Sequence, residues 1–222
     1  MDDISIVIRS KNESRWIGHC IQSCLDNINN PEIIIIDNNS TDQTLEIVRH
    51  FQHDPTLPKS KKYTDIKILH IKDYTPGKAL NLGVKNSIRK NILVISSHCV
   101  LKNFNHKYLQ EKIQNYSCIY GSQTPFYYGK RIEKRYIWSH FGNEDVVNLF
   151  SEYESRYFMH NALSFFSRNT LLENPFNENL QGKEDRYWAI AMINRGANIL
   201  YSPELSCDHH YTQSGNTWKG IA

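Results

Sequence analysis

Ile33-Ile34-Ile35-Ile36-Asp37-Asn38-Asn39-Ser40-Thr41-Asp42 is the stretch on which the fold class turns. Four isoleucines in a row leave no face for water, so they read as a strand buried on both sides. Strands of that kind belong to parallel sheets covered by helices. The polar run after them is rich in helix-capping residue types, and the apolar spacing of Leu45 to Phe51 then predicts a helix. The same strand, polar turn and helix recur on either side. Upstream, Ile4-Ser5-Ile6-Val7-Ile8 is a β-branched run. It leads through Arg9-Ser10-Lys11-Asn12-Glu13 into Trp16 to Asn27, with Trp16, Ile17, Cys20, Ile21, Cys24 and Leu25 at helical spacing. Downstream, Ile66 to Ile71 reads as a strand and Pro76-Gly77-Lys78 opens a helix reaching Ile88. Asn91 to Ile95 reads as a fourth strand ending at Ser96-Ser97-His98. This alternation predicts an α/β fold: a doubly wound, mostly parallel sheet with helices on both faces. Ligands of such sheets bind beyond the carboxyl ends of the strands, where Arg9, Asp37 and Ser96 fall.

The second half is less regular. Tyr108 to Ile113 reads as a helix and Cys118 to Gly121 as a strand and turn. Tyr127 to Trp138 is basic and aromatic, with Tyr128, Lys130, Arg131, Lys134 and Arg135. Asn161 to Ser167 reads as a strand, Glu184 to Arg195 as a helix stopped by Gly196, and Ile199 to Tyr201 as a short strand. No repeat or linker divides the chain, so residues 1–222 are expected to form one domain.

Composition narrows the class. The chain has 222 residues, 40% hydrophobic and 22% charged, which excludes disordered, collagen-like and disulfide-scaffold proteins. A net charge of +3 gives no reason to expect a nucleic-acid partner. Lys59, Lys61, Lys62 and Lys67 form a local basic cluster that suits a solvated loop. No apolar run approaches the ~18 residues of a membrane span. Met1-Asp2-Asp3 lacks the basic start of a signal peptide, so a cytoplasmic location is expected. The five cysteines, an odd number, suit free thiols in a reducing compartment. Cys20, Cys24 and His19 could form part of a metal site but read more simply as a packed helix face.

The chain lacks GxxxxGK[ST], GxGxxG after the first strand, GxSxG and HExxH, which removes P-loop, dinucleotide, nucleophile-elbow and zincin readings. Four points remain. Asp37 can accept hydrogen bonds from a base or a ribose, or it can cap a helix. Lys78 beside a helix start suits a phosphate, or it is an ordinary solvated lysine. His98 at a strand tip can ligate a metal or contact a diphosphate, and Asp208-His209-His210 offers a second imidazole. Glu184-Asp185 opens a helix, either as complements to its dipole or as a general base acting on a hydroxyl.

Taken together and in order, these segments resemble a family 2 glycosyltransferase of the GT-A fold. The resemblance rests on residues 5–13, 36–44, 77–83 (Gly-Lys-Ala-Leu-Asn-Leu-Gly) and 94–100, on Gly182-Lys183-Glu184-Asp185, and on His209. It implies transfer of a sugar from a nucleotide diphosphate, UDP or dTDP in type, to a hydroxyl of a glycan or lipid-linked glycan. Inversion at the anomeric carbon and a role in bacterial surface polysaccharide synthesis go with it. Residues 1–120 would bind the nucleotide sugar. Residues 121–222 would form a smaller acceptor-side half carrying the base. Carried onto this chain, Arg9, Asn12, Glu13, Asp37, Asn39, Lys78, Ser96 and Ser97 would hold the nucleotide. Asp185 would be the base and Glu184 its neighbour positioning donor or acceptor. Trp138 and Arg131 would meet the acceptor. The family's DxD motif is replaced by Ser96-Ser97-His98, similar to the Ser-x-His form of rhamnosyltransferase-like members. His98 and His209 would then be the ligands of a divalent ion, Mn²⁺ or Mg²⁺, with imidazole favouring the softer ion. A lipid-linked acceptor would bring the enzyme to the inner face of a membrane. Two other readings stay open: a degenerate module that binds nucleotide or glycan without chemistry, and a nucleotidyltransferase.

Overall fold

The structure is a computed structural model, and it describes residues 3–52, 65–132, 142–152 and 154–211. The first half follows the expected alternation: β1 (Ile4–Ser10), α1 (Ile17–Asn27), β2 (Glu32–Asp37), α2 (Thr44–Phe51), β3 (Ile66–His70), α3 (Pro76–Asn86) and β4 (Asn91–Ser96). Next come β5 (Cys99–Phe104), α4 (His106–Lys112), β6 (Cys118–Tyr127) and β7 (Lys130–Arg131). Then follow β8 (Val146–Val147), β9 (Phe150–Ser151), β10 (Arg156–Tyr157), β11 (Leu163–Ser167), α5 (Arg168–Glu173), α6 (Glu184–Asn194) and β12 (Ile199–Tyr211). The main sheet runs β3-β2-β1-β4-β11-β6-β12-β5, with β7 beside β6 and β8 beside β12; β9 and β10 form a separate hairpin.

Strands β3, β2, β1 and β4 are all parallel, as the isoleucine runs require. Their alternate side chains supply two cores. Ile4, Ile6, Ile8, Ile33, Ile35, Leu93 and Ile95 face α1, α2 and α4. Val7, Ile34, Ile36, Ile92 and Val94 face α3, α5 and α6, with Phe166 and Trp188 meeting edge to face at 5.5 Å. Period-two alternation with both faces apolar is what puts helices on both sides.

The second half departs from a simple parallel continuation. β11 runs antiparallel to both β4 and β6, whereas β12 is parallel to β6 and antiparallel to β5. Two expectations are corrected here. The strand at Ile199–Tyr201 continues to Tyr211, carried past Pro203 by a register shift between Ser202 and Ser206. At that irregularity the chain passes against Gly121, where a Cβ would lie 2.4 Å from the Leu205 carbonyl oxygen. The strand at 118–121 likewise extends to Tyr127. These two long strands carry His209 and Gln123 to the same end of the sheet as Arg9, Asp37 and Ser96.

Helix ends follow local chemistry. Thr75 caps α3 by accepting from the Lys78 N–H at 3.2 Å, and Pro76 takes the first turn, where its missing donor costs nothing. Gly196 follows α6 with φ +85°, the left-handed stop its position predicted. Among the described residues, no helix is long and apolar enough to cross a membrane.

Candidate active site

Three loops meet beyond the carboxyl ends of β1, β2 and β4. Asp37, the last residue of β2, is buried and accepts from the Ser40 N–H at 3.1 Å, with His70 Nδ1 3.4 Å away. Asn12 and Asn39 both adopt left-handed backbone (φ +54° and +52°), a region asparagine tolerates. Asn12 Oδ1 accepts from Thr41 N–H at 2.8 Å, and its own N–H donates to Ser40 Oγ at 3.0 Å. The first and second loops are thereby tied together, leaving Asn39 exposed at the rim. Ser96 closes β4, and Ser97 is buried behind it.

Glu184 and Asp185 sit at the start of α6, after Lys183 in left-handed backbone (φ +62°). Glu184 is buried. It takes Arg9 Nη1 at 2.9 Å and Asn161 Nδ2 at 3.2 Å on the same oxygen. Burial alone would lower the Arg9 guanidinium, but the charges of Glu184, Tyr74 and Asp185 outweigh it and raise the group. Asp185 is partly buried and receives the Arg186 N–H at 2.8 Å. Desolvation, and then the neighbouring Glu184 charge, push its carboxyl up from 3.8 to about 6; the Arg186 N–H, Arg9 and Arg186 only partly offset them. A carboxylate with that value is unprotonated at neutral pH yet basic enough to take a proton in a transition state.

The structure also brings the two expected imidazoles together: the rings of His98 and His209 stack 5.0 Å apart. Each is held through Nδ1, His98 by Glu13 Oε1 at 3.0 Å and His209 by Gln123 Oε1. With Nδ1 of each ring occupied by its oxygen partner, Nε2 is the atom left to face a ligand, which is how second-shell partners orient metal ligands. Burial, then the charges of His98, His160 and His210, hold His209 well below its ordinary value, so it is neutral. Its Nε2 is buried and makes no hydrogen bond among the described residues. An orphaned imidazole nitrogen next to a second oriented imidazole fits a divalent ion by donor type, and suits Mg²⁺ least. Among the described residues, no three His, Cys, Asp or Glu side chains converge as a complete ligand set.

The remaining expected residues are placed as follows. Glu13 is not at the open rim: its carboxylate turns inward to His98 and its N–H donates to Thr44 Oγ1 at 2.8 Å. Lys78 is half-buried, with Nζ 3.5 Å from the Asp73 carbonyl of its own loop. Arg131 is exposed on β7, at the same end of the sheet. Trp138 lies outside the described residues. All five cysteines are buried and free, and Cys20 and Cys24 pack in the core. Asn161 and Gln123 were not singled out from the sequence. Asn161 precedes an apolar strand and reads there as a plain boundary, and Gln123 lies in a strand extension that no local pattern announces.

Comparison with known proteins identifies the family and the fold. The family described as Glycosyl transferase family 2 matches residues 5–176. A dolichyl N-acetyl-alpha-D-glucosaminyl phosphate 3-beta-D-2,3-diacetamido-2,3-dideoxy-beta-D-glucuronosyltransferase of Methanococcus voltae is 28% identical over 122 residues, 54% of this chain and 35% of its own length. An uncharacterized glycosyltransferase of Rickettsia conorii is 37% identical over 95 residues, covering 42% of this chain and 14% of the relative. Among solved structures, S. aureus TarS 1–349 in complex with UDP-GlcNAc superimposes with a TM-score of 0.71 at 18% identity, covering 99% of this chain and 61% of that one. GalNAc-T7 with UDP, GalNAc and Mn²⁺ gives 0.69 at 15% identity, covering 96% and 44%. The likeness to both structures is one of fold, the GT-A fold. The chain spans about a third of the Methanococcus relative and a seventh of the Rickettsia one.

Proposed function

The chain belongs to glycosyl transferase family 2, and from that premise we propose that it moves a sugar from a nucleoside diphosphate to an acceptor hydroxyl with inversion, Asp185 acting as base. The single observation that carries the reading is the Asp185 carboxyl. It is raised to about 6 beside a Glu184 that Arg9 and Asn161 hold in place. Asp37 and the tied loops of Asn12, Asn39 and Ser40 take the nucleoside. Ser96 and Ser97 line the diphosphate, and Lys78 comes within reach of it by turning from Asp73. Asp185 takes the proton from the acceptor hydroxyl as its oxygen attacks the anomeric carbon. Glu184, held by Arg9 and Asn161, is the neighbouring charge that raises Asp185. His98 and His209 would hold a divalent ion, with Glu13 and Gln123 fixing their rings. When bound, that ion supplies positive charge to a departing diphosphate.

A UDP-type donor is supported by the UDP-GlcNAc complex of the TarS neighbour, and a lipid-linked acceptor met at a membrane surface by the named substrate of the Methanococcus relative. A place in bacterial surface polysaccharide synthesis is part of the same proposal. Arg131, with the exposed Tyr128, would meet the acceptor, and Trp138, outside the described residues, is proposed for the same role. The test is nucleotide binding against turnover. Asp185→Asn is expected to bind UDP as the parent does and to release no nucleoside diphosphate from a sugar donor; undiminished release would remove Asp185 from the role.

A further inference from the structure

The end of the sheet opposite the strand tips carries a cavity of about 590 Å³. It opens where β4, β6 and β12 begin. One strand length separates it from Ser96, about 17 Å for the five steps from Asn91 at ~3.3 Å each. Its walls come from the start of β4, the connection from α4 to β6, the start of α5 and the turn after α6.

The chemistry of the lining is one-sided. Asn91, Asn115, Ser117, Ser167, Asn169 and Thr170 all face it, and none of their side chains hydrogen-bonds another described residue. Among the lining residues only Lys90 carries a charge. Tyr116 presents a half-buried ring that packs against the core on its other side. An amide offers both donors and acceptors, and a hydroxyl does the same in smaller form. A purely apolar ligand would strip these groups of water and return nothing, at a cost of about 1–3 kcal/mol for each group left unpaired. An anion would find a single cation. A molecule with several neutral hydroxyls and one apolar ring face matches these six polar groups and Tyr116 together: hydroxyls to the amides and hydroxyls, ring face to Tyr116.

We propose that this cavity is a glycan-binding site, remote from the catalytic tips, for a neutral oligosaccharide. The inference does not depend on the transfer reaction, because binding here needs neither nucleotide nor Asp185. The test is a titration of the intact protein with maltotriose and with chitotriose, followed by amide NMR. At least one of them should give saturable millimolar shifts at Asn115, Tyr116 and Asn169. Asn115 and Asn169 are both exposed, so their replacement leaves the core untouched. The double variant Asn115→Ala/Asn169→Ala should weaken that binding by about tenfold or more, with unchanged UDP binding and an unchanged thermal midpoint. Three results would overturn the proposal: no saturable shift with either sugar, shifts confined to Arg9, Asn161 and Asp185, or a double variant that binds like the parent. Failure of the transferase reading would instead show as absent nucleotide binding, with the cavity shifts intact.

Discussion

Replacing Asp185 by Asn should cut turnover by orders of magnitude and at the same time stabilise the protein, but only on one side of a defined pH. The carboxyl stands at about 6 in the folded chain against an ordinary 3.8. A rise of roughly two units corresponds to about 3 kcal/mol by which ionised Asp185 disfavours the folded state. Asp185 keeps part of its surface in water, so screening reduces this to about 1–3 kcal/mol. The sign follows from linkage. The folded state holds this proton more tightly than the unfolded state does. The penalty is therefore absent below the ordinary value and complete above about 6, and this group's contribution to stability falls as pH rises between them. Burial and then the Glu184 charge set the value, against Arg9 and Arg186, and all of these surroundings remain in the variant. The side-chain amide of the variant would still accept the Arg186 N–H through its oxygen, so the helix start is preserved. Urea unfolding of parent and variant should coincide near pH 4 and diverge by about 1–3 kcal/mol in favour of the variant by pH 7–8. Turnover should fall by about 10²–10⁴-fold. A variant less stable than the parent at neutral pH, or a stability difference that ignores pH, would refute the reasoning.

Other outcomes follow from the same geometry. Gly77→Ala would place a Cβ 2.4 Å from the Asn177 carbonyl oxygen; the loop cannot yield cheaply, so a loss of about 1–3 kcal/mol is expected in thermal or urea unfolding, and a neutral result would mean the loop moves freely. Asn81 binds the Phe176 N–H and carbonyl and donates to Glu178 Oε1, all at 2.9–3.0 Å. Asn81→Asp should therefore cost about 1–3 kcal/mol, and adding Glu178→Gln should restore part of it by giving the new carboxylate a donor; no restoration would place the damage elsewhere. Mn²⁺ should stimulate turnover of the parent and EDTA should reverse this, and His209→Ala should lose that response; equal stimulation in both proteins would take His209 out of ion binding.

Much of the architecture was legible because it is written in local pattern. Ile33–Ile36, Ile4–Ile8 and Asn91–Ile95 are buried along both faces, which calls for two helical layers, and their alternation with helices points to parallel pairing among them. Glu184 and Asp185 were legible because they adjoin each other at the start of a helix marked by Trp188, Ala189 and Met192 and stopped by Gly196. What escaped was non-local. β12 passes through Pro203, Glu204 and a register shift, features that end a strand when read locally, and only pairing with β6 and β5 sustains it. β5 (Cys-Val-Leu-Lys-Asn-Phe) follows a turn at once and mixes apolar with polar residues. Its partner lies about a hundred residues on. Glu13 was expected at the nucleotide. Its reach to His98 depends on the β1–α1 loop folding against the end of β4. Asn161 gained its role from Glu184, which no spacing rule connects to it.

The central claim is that the strand tips hold a nucleotide sugar and that Asp185 acts on what attacks it. The direct measurement is release of nucleoside diphosphate from UDP-, dTDP- and GDP-sugars in the presence of Mn²⁺, by the parent and by Asp185→Asn. The account predicts that at least one donor is consumed by the parent and spared by the variant, although both bind its nucleotide. If no donor is consumed, or if the variant consumes it as fast as the parent, the account is contradicted.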